Sequence, residues 1–117
     1  MLSRLPPKRK REPMGIKTEQ REFPQHRAWV RSFACSIFDR HECSGPIECA
    51  HVRTGTDGGT GLKPHDRFCI SLCQAAHREQ HDIGEPAFER KYQIDMKAVA
   101  AKFAKTSPHR TKWEQAA

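Results

Sequence analysis

The sequence contains no apolar run near the roughly 18 residues that a membrane span needs. Its opening, Met1-Leu2-Ser3-Arg4-Leu5-Pro6-Pro7, has no apolar core of the kind a secretory signal carries. The expectation is a soluble, cytoplasmic protein with no membrane partner. Aromatic residues make up only 8% of the 117 positions and hydrophobic residues 36%. A chain of this length holds one domain, and a mean hydropathy of -0.84 leaves little apolar surface for a core. That shortage predicts a staple. Acidic residues are outnumbered 14 to 21 by Lys and Arg, for a net charge of +7, which points toward phosphate-bearing partners. No internal repeat is present, and neither a P-loop nor a dinucleotide fingerprint occurs, so nucleotide binding through those motifs is excluded.

What the chain does have is five Cys and seven His. In a reducing compartment an odd number of cysteines, interleaved with histidines at short spacings, reads as metal ligands rather than a disulfide framework. The alternative is a set of buried thiols without metal. Charge is also concentrated: residues 1–31 carry nine Lys or Arg against three Glu, a net +6 of the total +7. Residues 1–22 combine three prolines with the run Lys8-Arg9-Lys10-Arg11 and little apolar periodicity, predicting a disordered basic arm that tethers phosphate.

From Pro24 the pattern predicts a short helix ending before Cys35, with Ala28, Trp29 and Phe33 at helical spacing and Trp29 and Phe33 in the core. A turn-rich stretch to Pro46 follows, then a strand over Glu48 to Val52. Residues 54–64 contain four glycines and predict a functional loop. A second strand over Phe68 to Leu72 leads into a helix from Cys73 to about His81. Gly84 breaks it, Glu85 to Tyr92 forms another, and Asp95 caps a last helix bearing Met96, Val99, Ala100 and Phe103 on one face. Phe88, Tyr92 and Phe103 are expected in the core, and the chain is expected to fray after Pro108.

Two constellations carry chemistry. Cys35 and Cys43, followed by Cys73 and His77, approximate two ligand pairs flanking a folded segment, as in structural zinc sites, although seven intervening residues make the first pair loose. His77 and His81 lie one helical turn apart, within reach of one ion. Upstream, Glu48-Cys49-Ala50-His51-Val52-Arg53 places a histidine and an arginine on the same side of a strand.

These segments, together with Gly58-Gly59-Thr60-Gly61-Leu62-Lys63-Pro64-His65-Asp66 and Ser71-Leu72-Cys73, resemble the HNH nucleases of ββα-metal fold, most of all the phage and prophage group containing the recombination-enhancement nuclease. The resemblance runs from about His26 to Tyr92. It implies a ββα-metal core with zinc near Cys35, Cys43 and Cys73; with the elements read above, the expectation is an α+β domain over residues 23–106 with flanking short helices, while the arm at 1–22, the final helix and a frayed tail at 107–117 lie outside the resemblance. It implies a metal-dependent endonuclease acting on single- or double-stranded DNA, with a recombinase filament as a further partner. His51 would be the general base, Asp66 would orient it, and His77 and His81 would hold a catalytic Mg, Mn or Zn ion. Arg53, Lys63 and Arg67 would contact phosphate near the site, and Lys8, Arg9, Lys10 and Arg11 from the arm.

The chain departs from that family at two positions. Ala50 stands where many members have an Asp or His ligand, leaving Glu48, Asp66 or water to complete the ion site. Ala76 stands where related proteins carry a Cys or His, so the fourth zinc ligand is unassigned. If His77 served there instead, the protein would be a zinc-bearing nucleic-acid-binding module without cleavage activity.

Overall fold

The computed structural model describes residues 20–58 and 62–114. Most of the arm, including Lys8 to Arg11, lies outside the described residues, as do Gly59, Thr60 and Gly61 of the glycine loop. The described chain is a small mixed α+β domain, built on one two-stranded antiparallel sheet with helices around it.

Helix α1 spans Pro24–Arg31. Its proline occupies the first turn, where a missing N–H costs nothing. Phe23, before it, has no capping side chain of its own, and its backbone N–H is taken by Asp66 at 2.6 Å. Strands β1 (Ile47–His51) and β2 (Cys69–Cys73) pair in register from Ile47 opposite Cys73 to His51 opposite Cys69. β2 is buried along its whole length, which explains its nearly continuous apolar sequence.

Helix α2 (Gln74–Ile83) starts directly from β2, and the Cys73 thiol caps it by accepting from the Ala76 N–H. Gly84, at φ 84°, makes the turn into α3 (Glu85–Tyr92), a backbone conformation glycine adopts at little cost. Helix α4 (Met96–Thr106) is capped by the Asp95 carboxylate, which accepts from the Ala98 N–H at 3.1 Å. The main core joins Ile37, Ala50, Ile70, Leu72, Phe88, Met96 and Ala100 across the sheet and helices.

Three expectations need correction. Trp29 and Phe33 are not in this core: Phe33 is exposed and Trp29 half-buried, packing edge-on against each other and against Phe103. Phe103, expected in the core with Phe88 and Tyr92, is half-buried at its edge. The segment after Pro108 does not fray at once; it forms the short helix α5 (Thr111–Glu114). Trp113 sets its ring edge against Phe23 and His26, and buried Ser107 pairs its hydroxyl with His26 Nδ1 at 2.9 Å. These tail contacts are aromatic and polar, which helical periodicity does not reveal.

His26 is fully buried in this cluster, and burial lowers its pKa from 6.5 to about 4. Between those values the unfolded chain binds the proton and the folded chain does not, so stability falls as pH drops from 6.5 to 4. The total is about 3 kcal/mol at about 1.4 kcal/mol per unit. His26→Gln removes this term. Urea unfolding at pH 7, 5.5 and 4 should therefore show the stability gap between wild type and variant closing as pH falls; a constant gap would refute the assignment.

Candidate functional site

His51 ends β1 with its Nε2 2.8 Å from Asp66 Oδ1. Asp66 is 1% exposed, and its other oxygen receives the Phe23 N–H and the Arg27 guanidinium, each at 2.6 Å. Burial alone would raise the Asp66 pKa, but the hydrogen bonds from His51, Phe23 and Arg27 outweigh it and hold the carboxyl at about 2. A carboxylate here can only accept, so in the neutral ring it fixes the proton on His51 Nε2. Nδ1 is then the basic atom.

On α2, His77 and His81 face each other with Nε2 atoms 3.1 Å apart. Two nitrogens bound to one ion at about 2.05 Å lie about 3.3 Å apart in a tetrahedron, so the pair fits a shared ion. His77 Nδ1 is held at 2.9 Å by Glu48 Oε1, the carboxylate support common behind metal-bound histidines. Glu48 thus stands behind His77 in this arrangement.

His51, His77, His81 and Glu48 line one open cleft of about 1050 Å³. Arg53 and Lys63 line it as well, joined by Arg27 and Arg31. In the sequence both α1 arginines stand out only as part of the basic N-terminal region; their i, i+4 spacing is the signal that they share a face. The bidentate grip of the Glu85 carboxylate on the Arg53 N–H, together with the Thr54 N–H, fixes the backbone at this rim. Arg67 lies elsewhere, its guanidinium stacked over Phe68 beside a shallow hollow shared with Lys105 and Trp113.

The cysteines form a separate centre. All five are free thiols, and the Cys35, Cys43 and Cys73 sulfurs lie within 4.8 Å of one another. Zn–S bonds of about 2.3 Å place sulfurs about 3.8 Å apart in a tetrahedron, so the triad could hold a metal ion. Burial resists ionisation of Cys73, but the backbone N–H groups of Ala76 and Ser44 and the neighbouring thiols bring its pKa below the ordinary thiol value. His77 is on the cleft rather than in this triad. A second group within the same distance, His51, Asp66 and Cys69, is a poor cation site: Arg27 already occupies the carboxylate, and burial pushes the Cys69 thiol strongly upward.

Ala50 explains one departure. One residue before His51 on the strand, it turns to the opposite face and is fully buried in the apolar cluster with Ile70 and Leu72, so no ligand can stand there.

Residues 11–108 match the family model described as "Protein of unknown function (DUF968)". The chain belongs to this family. A curated relative, "Uncharacterized protein YdfU" of Escherichia coli (strain K12), is 33% identical to this DUF968 chain over 72 residues. The match covers 61% of the chain and 19% of that protein, so the chain spans about a fifth of the relative's length. No solved structure matches. No helix among the described residues is long and apolar enough to cross a membrane.

Asp66→Ala should lower stability by about 1–3 kcal/mol, because it strands the buried Phe23 N–H and leaves the half-buried Arg27 guanidinium without its carboxylate. Asp66→Asn should cost less. With its one oxygen kept by Phe23 and Arg27, its amide would donate to His51 Nε2 and drive the proton to Nδ1. Imidazole nitrogen chemical shifts report this directly; an unchanged tautomer in a folded Asp66→Asn protein would contradict the role given to Asp66.

Proposed function

We propose that this chain is a metal-dependent endonuclease of the HNH type that hydrolyses DNA phosphodiester bonds. The observation that carries this reading is the convergence of the Asp66-held His51 and the facing His77–His81 pair on one basic cleft. His51 Nδ1, the nitrogen left without a proton when Asp66 holds the one on Nε2, accepts the proton of the attacking water. Asp66 keeps that ring in the required tautomer. His77 and His81 would hold the divalent ion, with Glu48 fixing His77. A bound divalent ion supplies Lewis-acid stabilisation of the phosphoryl and leaving oxygens. Arg27 already pairs with Asp66, whereas Arg31, Arg53 and Lys63 line the cleft and would be the phosphate contacts along the strand. The Cys35, Cys43 and Cys73 centre is the zinc staple that fixes the polar turn between Cys35 and Cys43.

A second reading is favoured by buried Ala50, which leaves the ion site without a ligand from β1 at that position. On that reading the chain is a zinc-bearing protein that binds nucleic acid without cutting it.

Cleavage of plasmid and single-stranded DNA with Mg, Mn or Zn separates the two. His51→Ala should stay folded, retain zinc and bind DNA, yet cleave roughly 10²- to 10⁴-fold more slowly. His77→Ala and His81→Ala should be partly rescued by higher ion concentration, whereas His51→Ala should not. A folded His51→Ala protein that cuts at the wild-type rate would remove this mechanism. DNA binding by wild type without cleavage under any ion would favour the second reading.

The arm gives an independent check, since Lys8 to Arg11 should meet phosphates whatever the sequence bound. Deleting residues 1–22 should weaken DNA affinity and flatten its logarithmic salt dependence by roughly 0.7–0.9 for each phosphate the arm neutralises. An unchanged slope would mean that the arm does not touch the nucleic acid.

A further inference from the structure

Three sulfurs leave a tetrahedral zinc site one ligand short, and the helix position where the resemblance suggests a fourth is Ala76, fully buried in the apolar core. The other six histidines are placed elsewhere. His26 and His65 pack in the aromatic cluster with Trp113, His109 lies in the turn before α5 with its backbone N–H on the Ser107 hydroxyl, His51 pairs with Asp66, and His77 and His81 line the cleft. His41 is different. It lies in the turn between Cys35 and Cys43, with Nδ1 3.9 Å from Cys73 Sγ. Sulfur and nitrogen bound to one tetrahedral zinc lie about 3.6 Å apart, given bond lengths of about 2.3 and 2.05 Å.

The other side of the ring is also organised. His41 Nε2 is 3.6 Å from Glu79 Oε2, and the ring stands edge-on to Tyr92 with centroids 5.5 Å apart. Glu79 is itself held, by the Tyr92 hydroxyl at 2.7 and 2.8 Å and by Lys91 Nζ at 2.6 Å. A carboxylate anchored on the far side of the ring, within ion-pair range though beyond hydrogen-bond length, is the outer partner that a zinc-bound imidazole usually has.

We propose that His41, through Nδ1, is the fourth ligand of the zinc staple and that Glu79 is its positioning residue. This rests on the reading of Cys35, Cys43 and Cys73 as a zinc site. Ligation draws the segment around His41 inward until the ring meets all three sulfurs. It also ties the turn to α2 through Glu79 and to α3 through Tyr92 and Lys91, so the staple braces the two helices as well as the loop.

The test uses the full chain, purified with its metal and also reconstituted with cobalt(II). Wild type should carry one zinc at the cysteines and give a cobalt spectrum with the intense visible bands of a tetrahedral site and charge transfer from three thiolates. His41→Ala should lose zinc affinity by more than the 10- to 100-fold typical of an outer partner, and Glu79→Ala by about that amount with the tetrahedral spectrum kept. If His41→Ala does not fold, His41→Cys decides: it should retain zinc and raise the thiolate charge-transfer intensity by about a third. Unchanged affinity and spectrum in His41→Ala, or no added charge transfer in His41→Cys, would overturn the assignment of His41. Unchanged affinity in Glu79→Ala would overturn that of Glu79. Wild-type protein without zinc at the cysteines would instead overturn the staple on which the proposal rests.

Discussion

The buried carboxylate of Asp66 is the constraint on which the rest of the site depends. Three donors from two segments distant in sequence from it converge on its two oxygens: the Phe23 N–H at the start of α1, Arg27 in the body of α1, and His51 at the end of β1. Removing a carboxylate from water is costly, and it persists here because every partner is a donor and one is a cation. The arrangement docks α1 against the sheet end and fixes the imidazole with one defined nitrogen toward the cleft. Stability and the proposed chemistry therefore draw on the same atoms.

Helix α2 carries the second constraint. Cys73 caps its first turn, His77 and His81 present one face to the cleft, and Glu79 meets His41, Lys91 and Tyr92 on another. One ten-residue helix thus contributes to both metal-competent centres, yet the centres share no ligand. On the proposed function, such separation would let one metal maintain the fold while another is exchanged during reaction. The small apolar core, in which alanines at 50, 76 and 100 allow close packing of sheet and helices, leaves the polar turn containing Cys35, His41 and Cys43 to be held by other means.

Much of the architecture was legible in the sequence because local signals agreed with the tertiary outcome. Pro24 at a helix start, Gly84 at a break and Asp95 as a cap mark element ends by backbone chemistry alone, and the elements begin or end there. The His77–His81 pair was readable because helical spacing acts over a single turn, and the cysteine triad because residue type alone marks candidate ligands even though Cys73 lies thirty residues beyond Cys43. Trp113, Ser107, His41 and Glu79 were not legible. Each depends on contacts spanning many residues, and a lone His in a turn looks the same in sequence whether it faces solvent or a thiol. Arg67 illustrates the converse: nearness to Asp66 in sequence did not carry its side chain to the same face, where packing over Phe68 decided its direction.

The central claim is that the molecule has two distinct metal-binding centres and that the His51–Asp66 pair is not one of them. Crystals of the zinc-loaded protein soaked in manganese, with anomalous scattering recorded at energies that distinguish the two elements, test it most directly. The account predicts zinc among Cys35, Cys43 and Cys73, manganese between His77 and His81, and no peak beside Asp66. Manganese bound by His51, Asp66 and Cys69, or no ion at the facing histidines, would contradict it.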